Sequence, residues 1–153
     1  MTSGSLLQSS IFEEQGEFVD ALFIDAVGYE FSLRRAGYIL DQCDTAVLLH
    51  APGHPIVHSF RGKRLFVTAN YGPTRRYYQE RNKVWVARRY WRNFPVFCLK
   101  LFMFSAKDLV KILLAEPNKW NKCHFMIRGF MDGLRERMGA ISLPAPHGTD
   151  LLE

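Results

Sequence analysis

"FIDAVGYEFSLRRAGY", residues 23–38, is the stretch on which the reading of this chain turns. An apolar run reaches Ile24, Asp25 stands where a helix N-cap belongs, and Gly37 stands where a glycine closes a helix in the left-handed conformation. The spacing predicts a helix over 26–36, with Arg34 and Arg35 in the last turn, where the helix dipole favours cations by about 0.3–1 kcal/mol. An N-cap acid and a first-turn acid can both face the space ahead of the helix, so Asp25 and Glu30 could bind a metal or take a proton from a sugar hydroxyl. An ordinary surface helix accounts for the same residues if Asp25 only caps and Glu30 pairs with Arg34 four positions on.

The surroundings of this helix narrow the choice. At 153 residues the chain suits one domain with a core of its own. Cys43, Cys98 and Cys123 stand far apart, with no CxxC pair, which points to a reducing, cytoplasmic setting. The start, MTSGSLLQSS, lacks the basic and long apolar regions of a signal peptide. Net charge is +5, unevenly spread. Acids dominate residues 1–50, where the only bases are Arg34 and Arg35, while bases dominate 61–100, where the only acid is Glu80. An acidic, site-like part followed by a basic, aromatic part suggests an anionic partner: phosphate, nucleic acid or a lipid surface.

Along the chain, Ser10 with Glu13 has capping-box spacing and predicts a short helix over 11–15. Tyr38–Leu40 and Thr45–His50 read as short strands, the second a nearly unbroken apolar run of the kind buried on both faces. His50, at the end of that run, is a candidate metal ligand, although a lone histidine serves structure as readily. His54 and His58 are four apart in what reads as a Gly/Pro-rich loop, a weak zinc signal. "GPTRRYYQERNKVWVARRYW", residues 72–91, predicts a helix with Tyr77, Val84, Ala87 and Trp91 on one side and arginines on the others, interrupted by Pro95. Its arginines and aromatics could stack bases and bind phosphate, or form a solvated basic face. "PVFCLKLFMF", residues 95–104, is intensely apolar but far short of the roughly 20 residues needed to span a bilayer. Ser105 and Asp108 predict a separate capped helix, Leu109–Glu116. A final helix from Trp120 to Gly139 carries a stripe from Cys123 and Met126 to Leu134 and Met138, with Gly129 and Gly133 as points of close helix packing. The tail beyond 141 reads as loose.

Taken in order, "TSGSL" (2–6), "FVDALFID" (18–25), Glu30 with "LRRAGY" (33–38), "LLHAPG" (48–53), "RRYYQERN" (75–82) and "RGFMDGL" (128–134) resemble the C-terminal part of family 2 glycosyltransferases, especially bacterial rhamnosyltransferases. The resemblance implies an α/β fold: a partial GT-A domain over 1–70, lacking its N-terminal half, then a basic helical appendage over 71–140 and a tail over 141–153. It implies transfer of a sugar from a nucleotide-sugar donor, with dTDP-rhamnose the candidate, to a saccharide or lipid-linked acceptor. A divalent metal, Mg or Mn, is expected for the complete enzyme. In the family the helix after "FID" carries the acceptor-activating carboxylate; Asp25 matches the aspartate of "FID" and Glu30 the second acid of the helix, and the histidine after the next strand, matched by His50, lies near the donor diphosphate or its metal. Arg34 and Arg81 are the candidates for holding acceptor or phosphate. The basic helices would border the acceptor site or make peripheral contact with the inner face of the plasma membrane.

Two departures accompany the match. The family reads Asp-x-Glu in the helix, and Gly28 stands where the first acid belongs, so the proton acceptor is left to Asp25 or Glu30. The resemblance also begins in mid-pattern, and no Asp-x-Asp metal motif occurs in the chain, which predicts poor catalysis by the isolated chain. A non-catalytic membrane-surface module is the alternative. Nucleic-acid binding by the Arg/Tyr/Trp helix ranks below it and would show a steep salt dependence.

Overall fold

Pro73–Tyr90 forms the helix around which the chain is built. In order, the computed structural model has α1 (Ser10–Gln15), α2 (Val27–Arg35), β1 (Ile56–Phe60), β2 (Lys63–Thr68), α3 (Pro73–Tyr90), α4 (Pro95–Ala115) and α5 (Lys119–Leu134). The structure describes residues 6–16, 22, 27–41, 43–47, 49 and 55–141.

Helix α3 starts at a Gly72-Pro73 pair, where proline's missing N–H costs nothing in a first turn. It packs most extensively against α5 and also touches α2 and α4. Tyr77, Val84 and Ala87 are buried as their spacing predicts, but Trp91 lies past the helix and is half exposed. The arginines do not form one solvated face: Arg75, Arg88 and Arg89 are exposed, whereas Arg76 and Arg81 are buried. A helix this polar can occupy the centre only because its buried charges are partnered. Arg76 donates from Nη1 to Asp108 Oδ2 at 3.0 Å and from Nη2 to Glu116 Oε1 at 3.1 Å. Lys122 Nζ reaches the other oxygen of Glu116 at 2.8 Å and Asn70 Oδ1 at 2.7 Å. One buried carboxylate thus ties the start of α3, the end of α4, the first turn of α5 and the segment after β2.

The α3–α5 approach is set by two glycines. A Cβ on Gly129 would lie 2.3 Å from the Tyr77 carbonyl oxygen, and one on Gly133 would lie 2.7 Å from that of Arg81. Close packing at both positions is the expected finding. The predicted apolar stripe of α5 is largely not the packing face, however: Cys123 and Met126 are buried, but Ile127 is 65% exposed, and Phe130, Met131 and Leu134 are also on the surface. The helix ends at Leu134 rather than near Gly139. Glu136 takes a positive φ of 56°, and Arg137 and Glu136 donate to the carbonyls of Asp132 and Gly133.

Pro95 does break the chain between α3 and α4, as the first residue of the new helix. From there α4 runs unbroken to Ala115, so the apolar segment and the separately predicted Leu109–Glu116 are one helix. Ser105 is no cap: its hydroxyl donates to the Leu101 carbonyl at 3.2 Å and accepts from Lys83 Nζ at 3.0 Å.

The sheet differs from expectation. Among the described residues the strands are β1 and β2, an antiparallel hairpin with Ile56 opposite Thr68 and an irregularity between His58 and Ser59. Arg61 and Gly62, at φ 50° and 76°, make its two-residue turn, the primed geometry that suits a twisted hairpin. The described residues of 38–40 and 45–50 form no strand. Ile39, Val47 and Leu49 are 90%, 84% and 93% exposed, because a strand meant for burial on both faces needs sheet neighbours, and the hairpin does not supply them. The architecture is therefore mixed α/β, a small hairpin beside a helical assembly, with no parallel sheet among the described residues. All three cysteines are free, and no described helix is long and apolar enough to cross a membrane.

Candidate functional site

Helix α2 is closed by the glycine that its sequence places there. Gly37 has φ 93°, the Tyr38 N–H donates to the Leu33 carbonyl and the Gly37 N–H to that of Arg34, the paired bonds of a Schellman cap. Tyr29 and Leu33 are buried on one side of the helix and Phe31 on another. Tyr29 Oη donates to the Gly16 carbonyl at 3.1 Å, its ring stacks on Phe12 at 5.8 Å, and Tyr38 Oη donates to Glu14, so α1 and α2 hold each other.

Phe31 anchors the other side. Its ring lies 5.4 Å from Tyr90, 5.3 Å from Phe94 and 4.8 Å from Phe97, which wedges α2 into the elbow where α3 gives way to α4. Glu30 and Arg34, one turn apart, occupy the arc of α2 between these anchors. The result is a cleft of about 440 Å³ lined by Glu30, Phe31, Arg34, Phe94 and Phe97. Glu30 is half-buried and Arg34 exposed. Glu30 lies in the first turn, where the dipole favours an anion, and Arg34 in the last, where it favours a cation.

The predicted site residues separate into three groups. Glu30 and Arg34 come together in the cleft. Arg81 does not join them: it is fully buried in α3, its ring-facing guanidinium 4.9 Å from the Tyr78 ring centre, donating to Asn82 Oδ1 and to the Gly139 carbonyl. Asn82 in turn donates to the Leu22 carbonyl. An arginine so placed organises the interior and cannot reach an acceptor. Asp25, His50 and His54 lie outside the described residues. Gly28 lies in the first turn of α2.

A metal does not fit the described residues. Among them, no three His, Cys, Asp or Glu side chains converge, and the cleft offers one carboxylate beside a guanidinium, which disfavours a cation. His58 is a hairpin residue, stacked on Phe66 at 4.7 Å with Nε2 3.2 Å from Thr68 Oγ1. The aromatic helix is equally unsuited to stacking bases, since Tyr77, Tyr78 and Tyr90 face inward. Tyr77 Oη donates to Asp132 Oδ2 at 3.0 Å, and burial, then this carboxylate, raises the phenol above its ordinary value.

Sequence reasoning missed Phe31, Phe94 and Phe97. The signal was present in "NFPVF", residues 93–97, aromatics on either side of a helix-starting proline, but only the elbow turns their rings towards α2.

No protein-family model matches the chain, and no solved structure matches it. Among curated proteins it is similar to the dTDP-rhamnosyl transferase RfbF of Shigella flexneri, 27% identical over 141 residues, which cover 88% of this chain and 45% of that protein. The chain thus spans less than half the length of this relative.

Proposed function

We propose that the chain is the acceptor-binding portion of a sugar transferase, and that the cleft between α2 and the α3–α4 elbow receives the acceptor sugar. The observation that carries this reading is the cleft's composition: three phenyl rings for the apolar face of a pyranose, with a carboxylate and a guanidinium one helical turn apart for its hydroxyls. The similarity to a dTDP-rhamnosyl transferase supports sugar transfer and makes dTDP-rhamnose the donor to test.

In the proposed reaction an acceptor hydroxyl attacks the anomeric carbon of the donor. The new C–O bond forms as the bond to the diphosphate breaks, the nucleoside diphosphate leaves with the electron pair, and the hydroxyl proton passes to Glu30. Arg34 orients the acceptor by donating to a neighbouring hydroxyl. Phe94 and Phe97 hold the ring and exclude water from the proton's path. By resemblance His50 would lie near the donor diphosphate or its Mg or Mn ion, and Asp25 is the other candidate for the base.

The test is the rate of dTDP release from dTDP-rhamnose with a rhamnose-terminated oligosaccharide, measured once the chain is joined to a donor-binding half. Glu30→Gln keeps size and hydrogen bonding but accepts no proton, and should lower the rate by about 10²–10⁴-fold. Gly28→Asp, which adds a carboxylate one residue into α2, should raise it. A rate that Glu30→Gln leaves unchanged overturns the assignment of the base.

A further inference from the structure

Helix α4 is held to the rest of the protein along one narrow line. Only Cys98 and Ile112 are fully buried, with Ser105 between them at heptad spacing. On the outer side two stripes run in parallel. Val96, Leu99, Met103, Ala106, Val110 and Leu113 follow one another at alternating three- and four-residue steps, all exposed, with Val96 at 66% and Val110 at 54%. One position over, Phe97, Lys100, Phe104, Lys107 and Lys111 repeat the same steps, and Lys107 Nζ lies 5.7 Å from the centre of the Phe104 ring. The apolar stripe is about 25 Å long at 1.5 Å per residue. The one acid of the helix, Asp108, is turned inward to Arg76. At the C-terminal end Leu114 and Trp120 are 78% and 76% exposed, and Lys119 Nζ bonds the Leu113 carbonyl at 3.4 Å.

We propose that α4 lies in the plane of an anionic lipid surface, its apolar stripe among the acyl chains and its lysine row at the phosphates. Charge decides for lipid over a second protein surface. An apolar stripe meant for a protein partner gains nothing from Lys100, Lys107 and Lys111 along its edge, whose compact ammonium groups are costly to dehydrate. At a bilayer the lysine stems add to the apolar face while their ammonium groups stay in the headgroup layer. Trp120, in the first turn of α5 just beyond α4, has the amphipathic ring that favours the same layer. The helix is too polar to span, with Lys100, Lys107, Asp108 and Lys111 along its length, and an in-plane position leaves the three lysine ammonium groups in water. Phe97 belongs to both the lysine stripe and the cleft, so docking by α4 brings the cleft to the membrane surface; the docking itself does not depend on what the cleft binds.

Co-sedimentation of the full chain with vesicles tests the proposal. Binding is expected to phosphatidylcholine vesicles containing about 30% phosphatidylglycerol and not to phosphatidylcholine alone, with a blue shift of tryptophan emission and weakening between about 0.1 and 0.5 M salt. Two variant sets probe the two stripes separately. Lys100→Glu, Lys107→Glu and Lys111→Glu together should lower partitioning about 100-fold or more, at about fivefold per lysine. Leu99→Asp with Met103→Asp should abolish the emission shift, with helicity by circular dichroism unchanged in both sets. No binding to anionic vesicles, or binding that neither set alters, overturns the proposal. A lipid-free dimer that Met103→Asp dissociates overturns it in favour of a second copy of this chain.

Discussion

Gly129 and Gly133 are the residues on which the helix assembly most directly depends. With a Cβ 2.3 Å from a backbone oxygen, Gly129→Ala can be accommodated only by moving α5 away from α3, and a cost of about 2–3 kcal/mol or more is expected in urea unfolding. Gly133→Ala meets Val84 as well as the Arg81 carbonyl and should cost a similar amount. Tyr77, whose backbone meets Gly129 and whose hydroxyl bonds Asp132, makes stability depend on pH. Its phenol is raised above the ordinary value of 10.0 by burial and by Asp132, so the unfolded chain loses this proton first. The stability it contributes is therefore present below pH 10 and lost as pH rises through the folded value. Tyr77→Phe should flatten the alkaline limb of a stability-versus-pH curve while costing about 1 kcal/mol at neutral pH. Glycine roles were legible at this scale: Gly37 closes α2 and the two α5 glycines mark close approach. What was not legible is which face of α5 they define, because α5 carries apolar residues at helical spacing on a face that α3 does not cover. The buried face instead matches a polar helix through Lys122, Gly129, Asp132 and Gly133.

The turn between α4 and α5 holds a carboxylate out of water. Glu116 has no exposed side-chain surface and binds both Arg76 and Lys122, which are 4% exposed. Glu116→Gln should leave two buried cations undercompensated and cost about 3–5 kcal/mol, read as a lower thermal midpoint. Helix existence could be read from the chain because periodicity, glycine stops and prolines are local signals. The join within α4 could not, since Ser105 and Asp108 have capping chemistry but face Lys83 and Arg76 of a neighbouring helix. The strands failed for the opposite reason. Apolar runs at 38–40 and 45–50 specify burial without specifying a neighbour, whereas the hairpin pairs with itself across Arg61 and Gly62, a turn with only half of the usual Asn-Gly or Asp-Gly signal.

For the whole molecule, the elbow between α3 and α4 gives the chain its two surfaces. It gathers Phe94 and Phe97 opposite Glu30 and Arg34, and it directs α4 outward so that its apolar stripe is left uncovered. The side-by-side placement of Glu30 and Arg34 was legible because helix spacing alone puts them one turn apart. The rings of Phe94 and Phe97 were not, because they lie sixty or more positions further along the chain. Saturation-transfer NMR with methyl α-L-rhamnoside tests sugar binding by this cleft without relying on turnover. The account predicts saturation transfer strongest to the ring protons on one pyranose face, with affinity in about the millimolar range. It also predicts at least tenfold weaker binding in Phe97→Ala and an unchanged overall fold by circular dichroism. No transfer, or transfer that Phe97→Ala and Glu30→Gln both leave intact, would contradict it.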